Sequence, residues 1–351
     1  MRIAFFVYPS AFQNKGGGEV VLEKTEEYLL KKGVKVRRFD TWNDKIEDFD
    51  ILHVFGSVKD CLGLMRVAKS RKVKVALESI FWSDFRRAFF EEGTVITKAA
   101  MVARHAMKTV LPFFPSDRRR MFETADIIFP NSINEGRQIA RLFAIPVDKM
   151  FVVPNGVDPK FARPKKDLFT GKFGMKDFVL SVGRIEPRKN QLTLIKAMKG
   201  VRRDLVLIGE TVSGYEWYYE KCRSEAGSNV HFLGEVAHGS DLHMSAYADC
   251  GVFVLPGWFE TPGLAALEAA LAGAKVVVTS GGSTGEYFGD KVLYLRPNDP
   301  EDIRLKIEEA LNTPLVGGLK DLVLKEYTWD KVAERTVQGY EKVLGKSKRT
   351  G

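Results

Sequence analysis

Two carboxylates, Glu260 and Glu268, and two cations, Arg184 and Lys189, are the side chains in this 351-residue sequence whose types and spacing best suit work on a charged ligand. Glu268 is the sole charge in TPGLAALEAALAGA, residues 261–274. A carboxylate among leucines and alanines is costly to bury unless it is hydrogen-bonded. A ribose, with its hydroxyl donors, would satisfy it, and so would solvent or a neighbouring loop. Just upstream, Glu260-Thr261-Pro262-Gly263-Leu264 follows the apolar run GVFVLPG. There Thr261 is placed to cap a helix and Pro262 to occupy its first turn without losing a hydrogen bond. A helix N-terminus with Gly263 beside it and no side-chain bulk suits an anion such as a diphosphate. In SVGRIEPRKNQ, Arg184 and Lys189 follow another apolar run. An arginine fork and a lysine point charge there would neutralise a diphosphate leaving group. A basic loop is by itself most often solvated surface; two cations and two carboxylates, each just past a strand, carry more weight.

The elements that must position these groups are short apolar runs alternating with helical patterns. RIAFFVY leads through Gly16-Gly17-Gly18 into EVVLEKTEEYLLKKG, and VKVRRFD, DILHVFG and KVKVALES continue the alternation. From about residue 178 it starts again with FVLSVGR, QLTLIKAMKG, DLVLIGE, NVHFLG, GVFVLPG, LAALEAALAG and KVVVTSGG. The pattern predicts an α/β chain with two Rossmann-like, doubly wound parallel-sheet domains facing a central cleft. Residues 1–165 form the first, 166–328 the second, and 329–351 a terminal helix and tail that packs back on the first. VPNGVDPKFARPKKDLFTGK, rich in proline, glycine and charge, reads as the linker region. Ligands in such sheets bind beyond the carboxyl ends of strands, where the four residues fall.

Taken together, SVGRIEPRKN, PGWFETPGLAALEAALAG and VVPNGVDPKF resemble the retaining nucleotide-sugar glycosyltransferases of family 4, which have the GT-B fold. KGGGEVVLEKTEEYL, ETADIIFPNS and YTWDKVAERTVQGYEKVL extend the likeness over nearly the whole chain. The resemblance implies a nucleoside diphosphate sugar as donor, a glycan or polyprenyl-phosphate-linked acceptor, and no cofactor or metal. It places Arg184 and Lys189 on the donor diphosphate, Glu260 beside the transferred sugar and Glu268 on the ribose hydroxyls. Gly263 and Leu264 lie at the donor-side helix, and Gly17 and Gly18 approach the donor from the other domain. Many members carry a histidine where this chain has Glu78, after the strand in VKVALESIFW. Glu78 and Trp82 are therefore the candidate acceptor-side residues, with Glu78 either replacing the histidine or pairing with an arginine. A non-catalytic protein of this fold that binds a sugar nucleotide or a glycan is the alternative reading.

Other chemistries find less support. Asp48-Phe49-Asp50 spells D-x-D, a metal motif in another glycosyltransferase fold, but it precedes its strand and so falls on the wrong sheet edge. His53 and His231 sit within strand patterns and read as packed. No G-x-G-x-x-G opens either half, which removes the main support for a dinucleotide, and no P-loop is present. Cys61, Cys222 and Cys250 form neither a C-x-x-C pair nor a disulfide framework.

The net charge of +9 lies entirely in the first half: residues 1–165 carry 29 basic and 20 acidic side chains, residues 166–351 carry 25 of each. Residues 86–120 hold eight of the basic residues against three acids. Projected as a helix, ITKAAMVARHAMKTVL gathers Thr97, Lys98, Arg104, His105, Lys108 and Thr109 within about 140°, interrupted by Met101. Phe81, Trp82, Phe85, Phe89, Phe90, Phe113, Phe114 and Phe122 flank it. This is either a helix with a solvated basic face or a surface for anionic lipid headgroups; no nucleic-acid-binding fold accompanies it. With no long apolar run and no signal-like start, the expected location is cytoplasmic, peripheral on the inner membrane face.

Overall fold

The computed structural model describes residues 1–14, 16–83, 94, 96, 99–100, 102–103, 106, 110, 113–315 and 317–345. The basic arc Thr97, Lys98, Arg104, His105, Lys108 and Thr109, with Phe85, Phe89 and Phe90, lies outside these. Two compact units divide the chain. The first comprises Met1–Phe85, Ala99–Gly156 and the chain from Trp329, and the second Val157–Thr328 with Arg86–Lys98 grouped to it.

In the first unit, β1 (Arg2–Val7), β2 (Lys35–Arg38), β3 (Ile51–Phe55), β4 (Lys74–Glu78) and β5 (Ile127–Phe129) form one parallel sheet. Its order is β2-β1-β3-β4-β5, one of the two common doubly wound orders. The period of two explains its faces. Leu52, Val54, Val75, Leu77 and Ile128 turn to one side, where Met65, Phe122, Ile139 and Phe143 complete a core. On the other side His53 stacks on Phe55 at 4.3 Å and meets Phe129 and Tyr340 edge-on. Tyr340 belongs to the helix Trp329–Val343, and its hydroxyl lies 2.6 Å from His53 Nδ1. Phe81 and Phe122 are buried and pack edge-on to each other and to Phe143. They are core residues and not part of an aromatic surface; Phe113 and Phe114 are exposed.

In the second unit, β6 (Val179–Val182), β7 (Leu205–Ile208), β8 (Val230–Phe232), β9 (Val252–Leu255), β10 (Val276–Thr279) and β11 (Leu293–Leu295) form a six-stranded parallel sheet. Its order, β11-β10-β9-β6-β7-β8, is the dinucleotide-fold order, and it reverses between β6 and β9. Helices cover both faces, so β6, β7, β9 and β10 read as nearly continuous apolar runs.

Two expectations need correction here. The proline-rich stretch taken as a linker is a working part of the second unit: Val157, Phe161 and Phe169 are buried in its core against Tyr247, Phe253 and Ala266. Each phenylalanine contributes about 1.5–3 kcal/mol by burial; polar composition around them hid this. The passage from one unit to the other falls at Gly156–Val157. His231, in turn, is not packed: β8 is the edge strand, and the ring is partly exposed with Nε2 2.9 Å from Asp204 Oδ1. Asp48 and Asp50 do lie before β3, where Asp50 accepts a hydrogen bond from the Arg2 backbone N–H at 2.7 Å. Among the described residues no helix is long and apolar enough to cross a membrane.

Candidate active site

The loops after β6 and β9 leave the sheet on either side of its reversal point, which brings Arg184, Lys189 and Glu260 to one rim. The loops are locked together by hydrogen bonds to backbone carbonyls. The Trp258 N–H donates to the Arg188 carbonyl at 3.1 Å, and Asn190 Nδ2 donates to the carbonyls of Pro256 and Pro297 at 3.0 and 2.7 Å. Gln191 Nε2 holds the Arg184 carbonyl at 2.8 Å.

At the floor of this arrangement, Lys189 Nζ donates to Glu260 Oε1 at 2.7 Å. Glu260 is only 3% exposed, and burial lowers the Lys189 ammonium pKa against the opposing pull of Glu260. Arg188, which the sequence reading passed over, points NH1 at the same Glu260 oxygen from 3.9 Å. It also bonds Glu186 Oε1 at 2.9 Å, and Arg184 reaches that carboxylate at 3.5 Å. Three cations therefore meet two buried carboxylates, leaving an excess of positive charge at the rim where an anion would lie. Arg184 is the more exposed member, at 39% of its side chain against 15% for Lys189.

Glu260 is held from the far side by Gly281-Gly282. The Glu260 N–H donates to the Gly281 carbonyl at 3.1 Å and the Ser283 N–H donates to the Glu260 carbonyl at 2.8 Å. Gly282 has φ +97°, and a Cβ there would stand 2.0 Å from the Glu260 carbonyl oxygen. Gly282→Ala is expected to cost about 3 kcal/mol through the forbidden backbone angle and the displaced Glu260 carbonyl. Urea unfolding checks this; a loss below the measurement error would refute the close approach.

The helix expected to start at Pro262 begins later, at Leu264, and spans Leu264–Ala272 with Gly263 as its N-terminal flank. Thr261–Pro262 is a cis peptide bond, and Gly263 has φ +90°, outside the helical region, so neither Thr261 caps the helix nor Pro262 occupies its first turn. Glu268 lies in the second turn, 6% exposed, and it neither faces solvent nor caps a loop. Its Oε2 accepts from the Tyr247 hydroxyl at 2.8 Å and its Oε1 lies 2.6 Å from His238 Nε2. Tyr247 is fully buried and His238 is half exposed, so His238 forms the solvent side of this carboxylate.

His238, His243 and Glu268 bring possible ligand atoms within 4.8 Å of one another, the one such trio among the described residues. The Gly239 N–H donates to His243 Nδ1 at 3.1 Å, and burial pushes the His243 imidazole down to about 4, so the ring is neutral with its proton on Nε2. Neither nitrogen then offers a lone pair to a cation. As arranged, His238 is hydrogen-bonded to Glu268 and His243 to the Gly239 backbone.

In the first unit, Gly17 and Gly18 are the opening residues of the helix Gly17–Lys31, with the Gly16 N–H bonded to Glu19 Oε2 at 2.8 Å. Glu78 closes β4 and is buried. Its neighbour among the described residues is His53 Nε2 at 3.6 Å, and no described arginine pairs with it. Residues 53, 55, 76 and 78 share one face because His53 pairs with Ala76 and Phe55 with Glu78. Burial, helped by the charge of Glu135, raises the Glu78 pKa, and burial holds His53 down to about 3. Trp82 is half-buried beyond the same strand.

Two parallel doubly wound units, one with a cationic rim and buried carboxylates at its reversal point, are the components of a GT-B protein. Residues 163–327, nearly all of the second unit, match the model of the family glycosyl transferases group 1. An uncharacterized glycosyltransferase of Methanocaldococcus jannaschii is 29% identical over 223 residues, which is 58% of this chain and 57% of that one. The serotype-specific mannosyltransferase WbdA of Escherichia coli is 27% identical over 65% of this chain and 30% of its own length. The chain thus matches less than two thirds of these relatives. Two solved structures share the fold: sucrose-phosphate synthase of Thermosynechococcus elongatus, with TM-score 0.77, 17% identity and coverage of 99% and 100%, and Anabaena HepE in complex with UDP and glucose, with TM-score 0.71, 14% identity and coverage of 96% and 98%.

Proposed function

We propose that this chain transfers a hexosyl group from a nucleoside diphosphate sugar to a glycan or lipid-linked acceptor, with retention of anomeric configuration. The observation that carries the reading is the Lys189–Glu260 pair, backed by Arg184 and Arg188, at the sheet reversal where such ligands bind. A transferase of this kind must stabilise a diphosphate as it leaves and hold the sugar still. Arg184 and Lys189 supply the first, and Glu260, fixed by Lys189 and by Gly281-Gly282, supplies the second. Gly263 and Leu264 open a helix toward the phosphates. Glu268, oriented by Tyr247 and His238, has a remaining lone pair on each oxygen for the ribose hydroxyls. Glu78 and Trp82, at the carboxyl edge of the first sheet, are the candidates for acceptor contacts, and Gly17 and Gly18, which open the helix after β1, are the first unit's candidates for contact with the donor.

In the transfer, the bond from the anomeric carbon to the diphosphate oxygen breaks as the acceptor oxygen bonds to the same face. The acceptor proton passes to the leaving diphosphate. This front-face course rests on the family resemblance and requires neither a protein nucleophile nor a metal. The names of the relatives, a mannosyltransferase among them, and the UDP and glucose of HepE support the donor class.

Calorimetric titration with UDP-, GDP- and ADP-sugars, followed by assay of nucleotide release with glycan and polyprenyl-phosphate acceptors, tests the proposal. Saturable binding of one nucleotide and its release on adding acceptor are expected. Absence of binding by all three sinks the donor assignment, and binding without release would point to a sugar-nucleotide-binding protein.

A further inference from the structure

Three consecutive arginines open the helix Asp117–Thr124, and they do not behave alike. Arg119 pairs with Glu123 at 2.8 Å and Arg120 with Asp117 at 3.4 Å, both within the helix. Arg118 turns inward instead. Its Nε–H donates to the Ser57 carbonyl at 3.2 Å, and its guanidinium carbon lies 5.4 Å from the centre of the Phe81 ring. No described carboxylate pairs with it, and burial alone lowers its pKa.

A guanidinium withdrawn from water without a counter-charge is costly. The cost is set by what the remaining donors face. Nε and the ring fix the plane of the group, Arg118 is only partly buried, and among the described residues its terminal nitrogens have no partner. That is a preorientated fork of donors, the geometry that takes two oxygens of a phosphoryl group at once. Its place is also that of a ligand group: Ser57 follows β3 and Phe81 follows β4, both at the carboxyl edge of the first sheet.

We propose that Arg118 is an anion-binding residue of the first unit, taking a phosphoryl group carried by a soluble phosphomonoester or by a lipid. Assigning that group to the acceptor rests on the transferase reading above; the anion site itself does not. Glycerol 3-phosphate and phosphatidate-containing vesicles are the two probes, each titrated against the full chain. Saturable binding of glycerol 3-phosphate assigns the soluble source, and binding confined to the vesicles assigns the lipid. In either case Arg118→Gln should weaken it at least tenfold and leave nucleotide binding unchanged. Binding of neither probe, or binding indifferent to Arg118→Gln, overturns the proposal. Should that variant fail to fold, the unaltered protein still decides: phenylglyoxal labelling of Arg118, mapped by mass spectrometry, should be suppressed by the probe that binds. Labelling untouched by both overturns it. Loss of nucleotide binding in the unaltered chain, with the phosphate site intact, would sink the transferase reading alone.

Discussion

Lys189→Met should lower transferase turnover by about a hundredfold to a thousandfold, the usual consequence of deleting one charge-stabilising donor from a transition state. It should also destabilise the second unit by about 3 kcal/mol. The two losses have different origins. Stability falls because Glu260, 3% exposed, loses its 2.7 Å partner, and removing one member of a buried ion pair is expensive. Arg188, at 3.9 Å, offsets only part of this. Turnover falls because no cation remains at the floor of the rim. Adding Glu260→Gln to Lys189→Met separates them: the neutral amide restores most of the stability, and the activity stays lost. Recovery of activity in the double variant would mean that Lys189 serves only to neutralise Glu260.

The second large effect concerns Glu268. Glu268→Gln keeps the shape of the side chain and still accepts from Tyr247, so the fold should tolerate it. Glu268→Ala would leave the Tyr247 hydroxyl buried without that acceptor, at about 1–3 kcal/mol, and confuses binding with folding. The informative comparison is between the preferred nucleoside diphosphate and its 2′,3′-dideoxy form. The unaltered chain should prefer the ribose form about tenfold or more, equivalent to about 1.4 kcal/mol. Glu268→Gln should erase most of that preference while changing affinity for the dideoxy form little. A preference that survives the substitution places the ribose elsewhere.

How much of this was legible before the structure follows from where each signal resides. The strands of both sheets showed as apolar runs, and the residues just past β6 and β9 were found because topology forces ligands to strand ends. Glu268 stood out as a charge in an apolar helix. Its partners did not. His238 sits in the polar segment GEVAHGSDL, with no periodicity to single it out, and meets Glu268 only because the loop after β8 folds over the helix Leu264–Ala272. The spacing of His243 and Tyr247, four apart on the helix Asp241–Asp249, was the one available hint that both face the same way. Arg188 and Glu186 were masked differently: a charge-rich loop does not reveal which acid takes which base. Glu78 was open between replacing a histidine and pairing with an arginine, when the alternation of β3 and β4 already placed it on the face of His53. Phe161 and Phe169 were lost in a stretch whose prolines and lysines spoke for a linker.

The return of the chain to its first unit has a consequence for biosynthesis. Synthesis runs from the N-terminus, and domains generally fold as they emerge. Here the first unit is incomplete until the last helix is made, because Tyr340, the partner of His53, follows the whole of Val157–Thr328. The body of the second unit, Val157–Thr328, is contiguous in sequence and can finish first. A ribosome stalled anywhere before Trp329 therefore holds a first unit whose sheet still exposes His53 and Phe129, and translation rate becomes a variable in whether this protein reaches its native state.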